Sequence, residues 1–236
     1  MEGKSMLKVS NLSSGYGETL IIDALEMEIK QGEVIALIGK NGAGKTTLLK
    51  TLMGLLTLKN GSITFNGEDI SRWKSEQRSL AGMAYIPQGR EIFPFLSVRE
   101  NLMLGLEARG KPSAQVPDDI YVLFPELKSL EKRLGGDLSG GQQQQLAIAR
   151  MLITEPKILL MDEPTEGIQP SIVFAIENAI RLIKAQGTIS IILVEQFMEF
   201  ALRLSDTCYV IEKGKIVFKE ETTRLNVDQV NKYLVL

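Results

Sequence analysis

Apolar residues recur along the chain in two rhythms, and the changes between them mark out its elements. Leu7-Lys8-Val9-Ser10-Asn11-Leu12 alternates apolar with polar, and residues 24–29 do the same, so each predicts a half-buried strand. Ser14-Gly15-Tyr16-Gly17 between them predicts a turn carrying one aromatic. Residues 34–38, 83–86 and 189–194 are short apolar runs that predict buried strands, as does Lys157-Ile158-Leu159-Leu160-Met161-Asp162-Glu163. Residues 61–67 predict one more strand with a turn. Residues 208–211 and 216–219 predict a hairpin turning at Lys213-Gly214.

Helical spacing carries the rest. Leu48, Leu49, Leu52 and Leu55 predict a helix over 46–56. Leu146, Ala149 and Ile153 line one helix face, and Ile172, Ile176, Ala179, Ile180 and Ile183 line another. From Gly89 to about Arg133 the pattern is helical but broken at Pro94, Pro112, Pro117 and Pro125, which predicts an inserted helical subdomain. Residues 226–236 predict a terminal helix.

One junction between the two rhythms carries chemistry. Gly39-Lys40-Asn41-Gly42-Ala43-Gly44-Lys45-Thr46-Thr47 fits the G-x-x-x-x-G-K-[ST] phosphate loop and lies where a strand turns into a helix. Glycines let backbone N–H groups converge on phosphates, and the helix N-terminus adds its positive dipole end. Lys45 reaches the β- and γ-phosphates, and the Thr46 hydroxyl is placed to ligate Mg²⁺. The expected ligand is therefore a nucleotide with Mg²⁺.

Two further stretches gain meaning beside that loop. Leu138-Ser139-Gly140-Gly141-Gln142 opens a helix, with Ser139 at its N-cap and glycines beside orphan N–H groups. Alone, such a stretch is either a helix cap or a second anion site. Asp162 and Glu163 end a buried strand, where ligands of parallel sheets collect. Either they cap the next helix, or they divide two tasks: Asp162 holds the Mg²⁺ shell and Glu163 orients or deprotonates the attacking water. Tyr16 is either a rim residue or a stacking platform for adenine.

Composition narrows the reading. The chain has 236 residues, 44% hydrophobic and 24% charged, enough for one α/β domain with a subdomain. A net charge of −2 argues against sequence-independent binding to nucleic acid. No apolar run has the length of a membrane span, and Met1-Glu2-Gly3-Lys4-Ser5 lacks the features of a signal peptide, which predicts a cytoplasmic chain. The single cysteine, Cys208, suits a reducing compartment and reads as a core residue. There is no histidine, so a histidine base, metal site or triad is excluded.

These elements in this order resemble the ATP-binding subunit of ABC transporters. Four separated motifs carry the likeness: the phosphate loop, Gln88 after its strand, Leu138-Ser139-Gly140-Gly141-Gln142, and Asp162-Glu163. The resemblance implies an α/β fold with a phosphate-loop NTPase core on a mostly parallel sheet, an N-terminal antiparallel β-subdomain and the helical insertion. It makes 1–236 a single domain: 7–88 the β-subdomain and loop, 89–155 the helical subdomain, and 156–236 the rest of the core with its hairpin and helix. It implies an ATP hydrolase with Glu163, Gln196 and Lys45 as catalytic residues. Tyr16 stacks on adenine, and Gly39, Asn41, Gly42, Ala43, Gly44, Lys45, Thr46 and Thr47 hold phosphate. Gln88 joins Thr46 and Asp162 at Mg²⁺. Ser139, Gly140, Gly141 and Gln142 act on ATP held by the partner's phosphate loop in a head-to-tail dimer.

The resemblance further implies membrane permease subunits as partners, docked at the cytoplasmic membrane face on a surface including Arg90, Phe93 and the helix near Val98. Residues 162–170 and 87–94 are similar to the branched-chain amino acid importer class. Residues 136–145 and Glu166-Gly167-Ile168-Gln169 are closest to urea-transport subunits. That class implies a second, non-identical ATP-binding subunit, although a homodimer is possible, and indirectly a solute-binding protein. The chain departs from the family twice. Residues 166–169 stand where Ser-Ala-Leu-Asp is frequent, and Gln196 stands where histidine is usual, so that side chain can donate but carries no charge. An exporter ATPase is the alternative reading; a non-transport ATPase on nucleic acid or a catalytically silent module has less in its favour.

Overall fold

The computed structural model describes residues 4–110 and 115–234; Pro112 and Met1-Glu2-Gly3 lie outside them, as do the last two residues of the expected terminal helix. The chain opens with β1 (Ser5–Tyr16), β2 (Thr19–Lys30), β3 (Val34–Ile38) and α1 (Lys45–Leu52). It continues with β4 (Leu58–Phe65), β5 (Glu68–Asp69), α2 (Ser75–Leu80) and β6 (Met83–Ile86). Next come α3 (Val98–Ala108), α4 (Asp118–Leu123), α5 (Pro125–Ser129) and α6 (Gly140–Leu152). The last part is β7 (Ile158–Asp162), α7 (Pro170–Gln186), β8 (Ser190–Glu195), α8 (Met198–Leu204), β9 (Thr207–Glu212), β10 (Lys215–Glu221) and α9 (Val227–Leu234).

The two sequence rhythms sort into two sheets. The alternating strands build a four-stranded antiparallel sheet, ordered β2-β1-β4-β5. The solid apolar runs build a six-stranded sheet, ordered β10-β9-β3-β8-β7-β6, whose strands from β9 to β6 run parallel. All five residues of β3 and of β7 are buried, and so are all six of β8. That is why these runs never alternate: both faces are covered. One apolar cluster joins Leu7, Ile29, Leu37, Leu49 and Phe65 between the sheets. The other joins Ala36, Leu102, Leu146, Ile176 and Phe200, so α3, α6, α7 and α8 all close on the second face.

Two expectations need correction, and two helices went unseen. Ser14 to Tyr16 belong to β1, and the turn is at Gly17-Glu18, because Ser14, Gly15 and Tyr16 pair with residues of β2. The helix after the phosphate loop stops at Leu52 instead of running to 56, since Gly54 takes φ 75° and leaves Leu55 exposed. Its end is sealed by Arg78, only 2% exposed, whose guanidinium donates to the carbonyls of Thr51 and Leu52 at 2.9 and 2.8 Å. A cation there satisfies the last helical carbonyls and complements the dipole. Residues 75–80 and 198–204 are helices that the apolar spacing did not reveal; each spans two turns or fewer, too short to display a stripe.

No helix among the described residues is long and apolar enough to cross a membrane.

Candidate functional site

Sheet order decides where the chemistry gathers. β3, β8 and β7 are neighbours in parallel, so their C-terminal ends lie side by side. They deliver the phosphate loop, Glu195-Gln196 and Asp162-Glu163 to one edge, as open parallel sheets generally do with their ligands. A polar cleft of about 390 Å³ opens there, lined by Asn41, Gly42, Gly44, Lys45, Thr46, Thr47, Gln88, Glu163 and Gln196, with Glu166 at its edge. Nine of the expected site residues line this cleft.

The loop conformation requires its glycines. Gly44 has φ 110°, and a Cβ there would come 2.7 Å from the Ile22 side chain. Gly44 is also the N-cap of α1 and supplies no side-chain acceptor. The first N–H groups of α1 therefore have no cap from the N-cap residue and face an anion site.

Lys45, 5% exposed, folds back to donate to the carbonyls of Gly39 at 2.7 Å and Lys40 at 3.2 Å. Its ammonium also lies 3.4 Å from the Glu163 carboxylate. Gln196 donates its side-chain amide to the other Glu163 oxygen at 2.7 Å. Lys45, Glu163 and Gln196 thus form one connected chain across the cleft. Glu163 adopts φ 50°, rare for a non-glycine residue, and its N–H is held by the Val194 carbonyl at 2.9 Å.

Asp162 is 1% exposed, and burial pushes its carboxyl above the usual carboxylate range, against the pull of the nearby Thr46 and Tyr85 hydroxyls. Oδ2 accepts from the Tyr85 hydroxyl at 3.2 Å; Oδ1 is buried without a hydrogen-bond partner. An orphan carboxylate oxygen beside a threonine hydroxyl is a donor set suited to a hard divalent cation. Among the described residues no group of three or more His, Cys, Asp or Glu converges. A cation here would need phosphate oxygens to complete its shell.

Other expected residues sit elsewhere. Gln88 reaches the cleft, but its amide is turned to the Glu166 carboxylate. Tyr16 ends β1 at 48% exposure and does not line the cleft. Ser139 caps α6 as expected: its hydroxyl accepts from Gln142 N at 3.3 Å, and Gln142 Oε1 accepts from Ser139 N at 3.0 Å. Neither these two nor Gly140 and Gly141 line the cleft.

The pattern of the ABC transporter family matches residues 22–166. The chain belongs to the ABC transporter family of ATP-binding cassettes. A high-affinity branched-chain amino acid transport ATP-binding protein, BraG of Pseudomonas aeruginosa, is 40% identical over 91% of this chain and 92% of its own length. A probable branched-chain amino acid transport ATP-binding protein, LivF of Archaeoglobus fulgidus, is 35% identical over 93% and 94%. The solved ADP conformation of an ATP-binding cassette of an ABC transporter superposes with TM-score 0.80 at 27% identity, covering 98% of this chain and 99% of that one. The cassette is an α/β ATP-binding domain and an ATP hydrolase.

Two features of the cassette escaped the sequence. Arg90, expected on a docking surface, is half-buried against α6: a Cβ on Gly140 would meet its guanidinium at 2.7 Å, and Gln143 accepts from it at 3.5 Å. Farther along α6, Arg150 donates to the Glu91 carbonyl at 2.6 Å and stacks over Phe93. The loop after Gln88 is therefore tied to α6 twice. The second feature is Glu195, a fully buried carboxylate at the end of β8.

Proposed function

We propose that this cassette is the energy-coupling ATPase of an importer for branched-chain amino acids. The observation that carries the solute class is its near full-length likeness to BraG and LivF, both described as branched-chain amino acid transport ATP-binding proteins. The cassette itself touches no solute, so the solute reading rests on kinship and not on any pocket. Urea is the second solute, favoured by residues 166–169. The chain acts at the inner membrane face with permease subunits, a second cassette and, indirectly, a solute-binding protein.

The geometry supports a division of labour. Backbone N–H groups of residues 41–47 and the uncapped start of α1 hold the phosphates. Lys45 exchanges its carbonyl partners for β- and γ-phosphate oxygens. Thr46 and Asp162, with Gln88 once it leaves Glu166, would hold Mg²⁺, which would offset the negative charge of the phosphates. Glu163 accepts a proton from, or orients, the attacking water, and release from Lys45 frees its carboxylate for this. Gln196 then moves from Glu163 toward the γ-phosphate as a neutral donor. Tyr16 stacks on adenine, and Ser139 with Gly141 meets the partner's ATP.

The test is reconstitution with the permeases and partner cassette in liposomes. ATPase stimulated by binding protein loaded with leucine, isoleucine or valine is the expected result. Stimulation by urea alone would transfer the solute assignment, and stimulation without any loaded binding protein would favour export.

A further inference from the structure

Among the described residues, Glu195 is the one strongly buried carboxylate near the cleft that the proposed chemistry leaves unused. It is 1% exposed and has no cation among its hydrogen-bond partners. Oε1 accepts from the Thr165 N–H at 3.1 Å and the Thr165 hydroxyl at 2.8 Å; Oε2 accepts from the Gln196 N–H at 3.3 Å. Burial pushes its carboxyl above the ordinary glutamate range, and the Glu163 charge adds to this. An unpaired carboxylate in that position is expensive, whereas an apolar side chain of similar size would fill the same volume. Filling space therefore does not account for it.

Its partners do. Thr165 lies two residues past Glu163, and Gln196 is the residue that grips Glu163 from the other side. Glu163 N–H is fixed by Val194 O. The contacts close a ring: Glu163 to Thr165 along the chain, Thr165 to Glu195, Glu195 to Gln196, and Gln196 back to Glu163. Glu195 gives the loop after β7 a second tie to the end of β8, beside the Glu163–Gln196 contact, and Glu163 holds its unfavourable φ of 50° inside this ring.

We infer that Glu195 is a positioning residue, which uses its hydrogen bonds to Thr165 and Gln196 to hold Glu163 and Gln196 in register with each other at the γ-phosphate position. The inference rests on the reading of Glu163 and Gln196 given above. Misplacing a reacting group by about 1 Å can slow a reaction by about a hundredfold without weakening ground-state binding. Binding of ATP, carried by the phosphate loop, should be spared.

The experiment compares variants in the reconstituted transporter with its partner cassette, reading kcat and KM for ATP, and fluorescent-nucleotide affinity. Glu195→Ala should lower kcat about 10- to 100-fold, with KM and nucleotide affinity within about twofold. Glu195→Gln keeps an oxygen for Thr165 and should recover most of the rate. Thr165→Val removes only the hydroxyl and keeps the fold testable if Glu195→Ala proves unstable; it should lower kcat by about three- to tenfold. Combined with Glu195→Ala it should do little further harm, because both act through one ring. Wild-type kcat in Glu195→Ala or Thr165→Val overturns the inference. So does a parallel loss of nucleotide affinity, or a Glu195→Gln variant as slow as Glu195→Ala. Glu163→Gln measured alongside separates the two readings: if it is active the role of Glu163 fails, whereas if it is inactive and Glu195→Ala is fast only the ring fails.

Discussion

Two helices of this cassette begin at glycine-rich turns, and they treat their N-termini in opposite ways. The start of α1 has no side-chain cap, lies under a polar cleft, and is followed at once by a buried lysine that donates to its own loop's carbonyls. The start of α6 is closed by a complete capping box, with Ser139 and Gln142 satisfying each other's N–H groups. The first is an anion site held open within one chain. The second is exposed, and its cap already occupies the Gln142 N–H. A glycine-rich helix start is thus not one device: whether its donors are already used decides whether it binds alone or waits for a partner.

This contrast predicts unequal responses to substitution. The largest effect should fall on the open site. Lys45→Ala leaves the phosphates without their point charge and should weaken ATP binding by about a hundredfold or more, read by nucleotide fluorescence in the single chain. Ser139→Ala at the closed site should leave that affinity within about twofold. In the assembled transporter, however, it should slow hydrolysis roughly tenfold or more, while loss of the cap costs the chain about 1 kcal/mol, or about 2–4 °C in Tm. If Ser139→Ala weakened nucleotide binding in the isolated chain, the two starts would not be distinct.

Between them lies the loop after Gln88, tied to α6 through Arg90 and Arg150. Phe95 in this loop is 88% exposed, whereas Arg90 is turned inward. Phe95→Asp should uncouple transport severalfold with basal ATPase retained, as expected of a partner-facing apolar residue. Arg90→Glu should depress both activities, because it strikes the loop's attachment to α6; transport lost with full ATPase would return Arg90 to the docking surface.

The smallest effect should come from Asp162 and should be a gain. Its carboxyl is raised above the ordinary range, so the folded chain holds that proton more tightly than the unfolded chain. Its contribution is then present below the unfolded pKa near ~3.9 and is lost as pH rises through the folded pKa. Nucleotide-free Asp162→Asn should therefore melt about 2 °C or more above the parent at neutral pH, with the difference vanishing toward pH 4. The same variant should lose Mg²⁺-dependent stabilisation by ATP. A lower Tm would mean that Asp162 serves the fold instead.

The sequence made the open site legible and much of its surroundings opaque, for physical reasons. Gly39 to Thr47 and Asp162-Glu163 are contiguous patterns whose chemistry follows from backbone freedom and charge, and β3 and β7 deliver them where parallel strands end. The core strands and the helix faces of α6 and α7 were equally legible, because burial on both faces or on one stripe writes itself into the residue pattern. Glu195 with Thr165, and Tyr85 with Asp162, depend on which strands adjoin in the sheet, and no local pattern encodes that. The inward turn of Arg90 was not legible, because exposure of a loop arginine depends on the gap left by Gly140, fifty residues away. Gly54 marked the end of α1 in plain view, but the leucine spacing ran past it to Leu55.

The central claim is that Glu163, poised between Lys45 and Gln196, serves hydrolysis and not nucleotide capture. Single-turnover hydrolysis by Glu163→Gln in the transporter with its partner cassette tests this most directly, because it separates chemistry from binding. The account predicts unchanged ATP affinity, a rate at this chain's phosphate loop lowered by about a hundredfold or more, and an ATP-bound cassette dimer that persists on a sizing column. A near-parental rate, or a loss of ATP affinity matching that of Lys45→Ala, would contradict it.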